Sequence, residues 1–175
     1  MLSEPVTVTA PVAAVMNLET VKLFVRVDGS ELDAEIQAYM DAAVADIERL
    51  TSTRLGNQVV EVRADSFDDL MHLQVGPVSS VVSINYDDIA GSPQIVAANT
   101  YELFGAGLER GIRPRFGAAW PSARNARGAI SVQLQVGYAT LPASIGLALL
   151  LAIRGRFDGS AVDLPMLLIN DRIWG

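Results

Sequence analysis

The 175-residue chain contains no cysteine, one histidine (His72) and one lysine (Lys22). The first absence removes disulfide scaffolds, thiolate zinc sites, iron–sulfur clusters and cysteine nucleophiles. A single histidine excludes multi-histidine metal sites and leaves a Ser-His-Asp arrangement only one base. Positive charge is scarce as well. The 13 Lys and Arg stand against 20 Asp and Glu, a net charge of −7, whereas general nucleic-acid binding rests on a basic footprint. No apolar run reaches the roughly 20 residues that span a bilayer. The longest, from Ile145 to Ile153, lies between Leu141-Pro142 and Arg154 and reads as a buried helix. Residues 1–16 hold Glu4, Pro5 and Pro11 but no Lys or Arg, so the basic start of a signal peptide is missing. What is present is 50% hydrophobic and 19% charged, enough to bury a core. The expectation is a soluble, intracellular α+β protein.

Residues 1–16 are rich in Pro, Val and Thr without periodicity and read as a flexible N-terminal arm. Residues 17–175 read as one domain. Asn17 suits the cap of a short helix to about residue 27, broken by Asp28-Gly29. Ser30, with Asp33 in the reciprocal capping position, starts the clearest helix of the chain. Its stripe is Leu32, Ile36, Tyr39, Met40, Ala43, Ile47 and Leu50, ending at Leu55-Gly56-Asn57. The period then drops to two. Val60 and Val62, then Met71, Leu73 and Val75, then Val82, Ile84 and Tyr86, then Ile130, Val132, Leu134 and Val136 alternate with polar residues. These are half-buried antiparallel strands, with turns at Gly76-Pro77 and between Asp87 and Pro93. Residues 101–104 form a weaker strand, and residues 105–127 read as a long loop or arm. Helical spacing returns over 143–157, after Pro142, with Ile145, Leu149, Leu150 and Ile153 inward. Gly155 weakens this helix by about 1 kcal/mol relative to Ala, so an early end is expected. A last helix is read over 163–173. The fold expected is two N-terminal helices (17–55), an inserted antiparallel β-sheet module (58–137) and two C-terminal helices (141–173).

Chemistry is nearly absent. His72 has no Ser or acid placed beside it by any motif, and reads as a solvated strand residue. Asp68-Asp69 and Asp87-Asp88 carry oxygen ligands suited to Mg²⁺ or Ca²⁺, yet both pairs fit loops and turns better. The Gly105-Ala106-Gly107 to Gly111 stretch resembles a dinucleotide fingerprint, but Arg113-Pro114-Arg115 follows where a helix is required. No catalytic residue, cofactor or metal is expected.

Charge is polarised instead. Residues 1–90 carry 5 basic and 15 acidic side chains, and residues 91–175 carry 8 and 5. Two solvated faces are the plain reading; a subunit whose acidic flank meets its neighbour's basic flank is the sharper one. Arg110, Arg113, Arg115, Arg124 and Arg127 form a cluster with Phe116 and Trp120 between them. It could contact a phosphate backbone, but the overall acidity favours a protein interface through Arg113, Arg115, Trp120, Arg124 and Arg127, since Arg and Trp dominate interface energetics. The helix that starts at Ser30 carries the acids Asp33, Asp41, Asp46 and Glu48.

Several of these pieces, in this order, resemble the phage head–tail connector proteins. Leu18-Glu19-Thr20-Val21-Lys22-Leu23-Phe24-Val25-Arg26-Val27-Asp28 resembles the family's opening helix, followed by the Ala-rich helix of residues 35–54. Leu73-Gln74-Val75-Gly76-Pro77-Val78-Ser79-Ser80-Val81 is similar to its strand pair. Trp120-Pro121, the strand leading to Gly137-Tyr138, Leu141-Pro142, Leu164-Pro165 and Leu167-Leu168 follow in family order. The resemblance covers roughly residues 16–174, with Arg154-Gly155-Arg156-Phe157 and a short C-terminal segment as departures. It implies a non-enzymatic adaptor in the neck of a tailed phage or phage-like particle, assembled in the host cytoplasm. Such subunits form a ring beneath the portal, a dodecamer in the particle, on which head-closure or tail proteins assemble. DNA passes through without sequence-specific binding, and no membrane is involved. In such a ring Asp33, Asp41, Asp46 and Glu48 would face the neighbouring subunit or the DNA channel. The family's C-terminal segment docks on the portal, which by position implies Leu168, Ile169, Arg172, Ile173 and Trp174. The competing expectations are a different neck component (head-closure or tail-completion), and a ligand- or glycan-binding module using Trp120, Tyr101 and adjacent acids.

Overall fold

Asn17 accepts the Glu19 N–H at 2.8 Å and starts α1 (Leu18–Val25), which closes with Arg26 in the left-handed conformation. The structure, a computed structural model, describes residues 1–173. The next helix, α2 (Asp33–Thr51), begins later than its capping signal suggests: Leu32 is the cap residue and no side chain caps it. Asp33 is instead drawn to Lys22, whose ammonium lies 2.8 Å from its carboxylate. Ile36, Met40, Ala43, Ile47 and Thr51 form the buried stripe of α2. They pack against Ile145, Ala148, Leu149, Ala152 and Ile153 of α3 (Ala143–Asp158) and against Val21 of α1. The expected early end of α3 does not occur. Gly155 is buried, and an added Cβ would lie 2.7 Å from Val162 Cγ2; the missing side chain admits the following segment, which offsets its lower helical propensity.

The sheet module has β2 (Gln58–Ala64) and β7 (Ile130–Val136) at its centre, paired antiparallel from Gln58↔Val136 to Ala64↔Ile130. Both show strict alternation, buried at every other residue. β3 (Val78–Asp87) pairs with the other side of β7, and β4 (Pro93–Ile95) closes that edge. The opposite edge is β1 (Val6–Thr9), paired with β2, giving the order β1-β2-β7-β3-β4. The segment expected as a flexible arm therefore folds back on the sheet, with Leu2 buried at its start. All four residues of β1 are exposed, so main-chain pairing rather than an apolar face holds it there. A register irregularity between Val81 and Ser83 turns Val82 outward, 51% exposed, and Val81 inward.

Three further expectations are corrected. Met71, Leu73 and Val75 do not form a strand. Phe67–Met71 is a 3₁₀ turn, and Leu73 and Val75 are buried in coil, with the Leu73 N–H donating to Arg110 O at 2.8 Å. The expected long loop over 105–127 contains β6 (Glu109–Pro114), which pairs with β5 (Tyr101–Ala106) as a two-stranded hairpin. The last helix is one turn, α4 (Leu164–Leu167), capped by Asp163. Beyond it the chain turns so that Ile173 N–H donates to Thr51 O at 2.9 Å. The protein is thus α+β: four helices around one core and an antiparallel sheet, with a hairpin appended, around a second.

The β3–β4 turn is locked by Asp88. Its Oδ1 accepts the Ala90 and Ser92 N–H groups, each at 2.9 Å. The Ser92 N–H is the largest cause holding this carboxyl below its usual range. Because the folded pKa is depressed, the contribution is present above the ordinary aspartate value and lost as pH falls through the folded one. The Ala90 and Ser92 amide resonances should therefore shift together below about pH 4, and Asp88→Asn should abolish the coupled shift.

Candidate assembly surfaces

The predicted arginines do not lie on a loose loop. Arg113 sits on β6, exposed, with its guanidinium 2.8 Å from Glu102 and over the Phe104 ring at 5.1 Å. Arg115 donates from Nε to Tyr101 O at 2.9 Å, which fixes the end of the hairpin. Arg124 and Arg127 are exposed. Among the described residues their guanidinium groups make no hydrogen bond or ion pair, although the Arg124 N–H donates to Asp87 O at 2.8 Å. Nearby carboxylates are engaged elsewhere: Asp65 accepts the Gly128 N–H, and Asp88 holds its own turn.

Trp120 is placed differently from a free anchor. Its ring stacks on Phe67 at 4.6 Å with an 8° interplanar angle, and Tyr101 lies 6.4 Å away. Trp120 is half-buried and Tyr101 buried, so these aromatics belong to the sheet core and do not form the open platform a glycan site needs. Trp120→Ala should lower stability by about 2–3 kcal/mol, below the full cost of a core Trp because the residue is half-exposed. Thermal unfolding followed by circular dichroism would measure it.

The other aromatic between these arginines, which was not among the expected interface residues, does stand free. Phe116 is fully exposed at 107% relative accessibility. It occupies a turn closed by Ala118 N–H to Arg115 O at 2.9 Å, with Gly117 at φ +81°. The positive φ after it marks a type II turn, which needs glycine there. The signal was present in Arg115-Phe116-Gly117, an aromatic just ahead of a turn glycine.

The C-terminal residues divide. Leu168 is 1% exposed inside the helical core, and Ile173 is buried against Gly76. Arg172 is half-buried and engaged by its surroundings. Ile169 is 53% exposed, and Trp174 lies outside the described residues. Met166 and Leu167, outside the set expected to dock on the portal, are exposed at 75% and 43%.

The acids of α2 divide too. Asp33 pairs with Lys22, Asp46 with Arg49 and Arg156, and Glu48 with Arg54 and the Leu55 N–H. Asp41 is exposed and accepts only the Gln37 amide, at 2.8 Å. Beside it runs a groove of about 400 Å³ between residues 11–16 and α2.

The lone lysine and the lone histidine are each placed in an ordinary structural setting. Hydrogen bonding to Asp33 raises the Lys22 pKa above its ordinary value, so the amine stays protonated and is a poor nucleophile. His72 is exposed at the end of the 3₁₀ turn, not on a strand. Among the described residues, no group of three or more His, Asp or Glu is placed to hold a metal ion. Nor is any helix among them long and apolar enough to cross a membrane.

No protein-family model matches the sequence, and no curated protein matches it. Solved structures do. The chain superposes on one from the neck of an empty gene transfer agent particle of C6 symmetry, with a TM-score of 0.78 and 20% identity, covering 100% of this chain and 96% of that one. A chain from the virion of a native gene transfer agent particle matches at a TM-score of 0.76 with 22% identity, over 99% and 97% of the two chains. A third, from the neck of the native particle with C12 symmetry, matches at 0.68 and 22%, over 95% and 96%. At such identities the likeness establishes one thing: both layers of this chain, helical and sheet, share the fold of those subunits from end to end.

Proposed function

We infer that the protein is a structural head–tail connector, a ring subunit in the neck of a tailed-phage-like particle, with no enzymatic role. The observation that carries this reading is the end-to-end structural likeness to chains from gene transfer agent necks of six- and twelve-fold symmetry. A 19-residue and a 16-residue helix also fit an adaptor better than the β-dominated closure and completion proteins. In the particle the subunits form a dodecameric ring under the portal, receive head-closure or tail proteins, and leave a channel for DNA. A net charge of −7 keeps that channel from gripping phosphate. The portal-facing contact is the exposed apolar step of Met166, Leu167 and Ile169.

Native mass spectrometry with negative-stain imaging, on the protein alone and with its cognate portal, tests this. Closed rings, free or templated on the portal, are the expected result. A monomer that ignores the portal at high concentration would discard it.

A further inference from the structure

We propose that neighbouring copies join head to tail by inserting Phe116 into the groove between residues 11–16 and α2, with Arg124 and Arg127 meeting its acidic rim. This rests on the ring reading above and names its subunit interface. Phe116 is wholly unpacked within its own chain, yet its turn is hydrogen-bonded and set by Gly117. An aromatic projected from a rigid turn loses little entropy when it is buried, which suits an anchor.

The groove complements it in shape and charge. Its floor is apolar, with Val15, Met16, Met40, Val44 and Leu149 among its lining residues, and Val12 stands exposed at its edge. Its charged residues are Asp41, which is exposed and not ion-paired among the described residues, and Glu48, which is already held by Arg54 and the Leu55 N–H; no Lys or Arg lines it. On the other side, the sequence from Arg110 to Phe157 contains seven arginines and no acid. Arg124 and Arg127, which follow Phe116 in the chain, are exposed, and among the described residues their guanidinium groups make no hydrogen bond or ion pair; Arg110 also lacks a partner, but its Nε is buried.

The two surfaces lie at opposite corners of the sheet, so one chain cannot satisfy itself. β1 runs from Val6 opposite Glu61 to Thr9 opposite Val59, which delivers residues 11–16 past the start of β2, beside Gly56. Arg124 is tied to Asp87 at the far end of β3, next to the β4 edge. Three strand spacings, from β1 to β3, and the length of β7 separate them, about 14 Å across the sheet and about 20 Å along it. Two different, complementary surfaces at opposite corners make a heterologous contact, the kind that generates rings.

The absence of cysteine makes the test direct. Phe116→Cys and Ala45→Cys, the latter on the exposed wall of the groove, are prepared as separate proteins. They are mixed, assembled with the cognate portal and treated with a short bismaleimide. The mixture should give cross-linked pairs where either variant alone gives background. A chain carrying both cysteines should give a ladder up to the closed ring. Rings visible by imaging without any Phe116–Ala45 cross-link would overturn this interface while leaving the ring reading intact. Efficient cross-linking of Phe116→Cys to itself would also overturn it, since that reports a two-fold contact. No ring under any condition, with or without portal, would overturn both. Independently, Asp41→Arg should raise the concentration for half-assembly about tenfold, and Arg124→Asp with Arg127→Asp should restore it. Failure of that rescue in folded protein would remove the charge pairing.

Discussion

Replacing Gly137 with alanine should lower stability by about 4 kcal/mol and the melting temperature by roughly 10 °C. Gly137 ends β7 and carries the chain out of the sheet toward α3, with φ at +109°. That conformation alone costs an L-residue about 1–3 kcal/mol. The site is also crowded by backbone: an added Cβ would stand 2.1 Å from Gly56 O and 2.7 Å from Asn57 Cα. Main chain, unlike a flexible side-chain tip, has no rotamer by which to retreat, so overpacking adds a comparable cost. Relief would require moving residues 56–57 away from β7, where the Gly137 N–H to Pro77 O and Tyr138 N–H to Leu55 O bonds join the two layers. Gly107 is the control. It also has positive φ, +60°, but an added Cβ there would meet nothing within 4 Å, so Gly107→Ala should cost only about 1 kcal/mol. Urea denaturation of both variants separates crowding from backbone strain. Equal losses would show that Gly56 yields easily and that the layers are softly joined.

What the sequence made legible follows from where periodicity had a single cause. In α2, β2 and β7 one face is buried along the whole element, so the apolar spacing reports the element and its orientation. Elsewhere another constraint competed. β1 is exposed throughout and held by main-chain bonds, which leave no pattern in side chains. β6 is broken in sequence by Gly111, and the glycine is there because a Cβ would lie 2.1 Å from Met71 O. The same close approach fixes residues 71–75 as coil, though Met71, Leu73 and Val75 alternate like a strand. The candidate surfaces were half legible for a related reason. Charge polarity and the arginine cluster are properties of composition, readable at once. Whether Trp120 or Phe116 stands free depends on Phe67, whose ring takes one of them. No spacing rule records that choice.

The C-terminal segment offers the sharpest contrast between adjacent residues, because Leu168 and Ile169 were equivalent in sequence and the fold separates them. Leu168 is 1% exposed among the packed residues of α2 and α3, so Leu168→Ala should cost about 2–5 kcal/mol through lost contacts and a residual cavity. Ile169 is 53% exposed, and Ile169→Asp should change stability by no more than about 0.5 kcal/mol. Portal binding should order them the other way. Ile169→Asp combined with Met166→Asp places two charges in an apolar contact, and a desolvated carboxylate without a partner is expensive. Retention on the cognate portal should fall by at least about tenfold, equivalent to about 1.4 kcal/mol for loss of even one anchoring contact. Leu168→Ala, assayed well below its melting point, should bind nearly as the parent does. Surface plasmon resonance on immobilised portal, with circular dichroism confirming the fold, reads both. A double Asp variant that binds like the parent would move the docking contact off this segment, and the exposed apolar step after α4 would then need another partner.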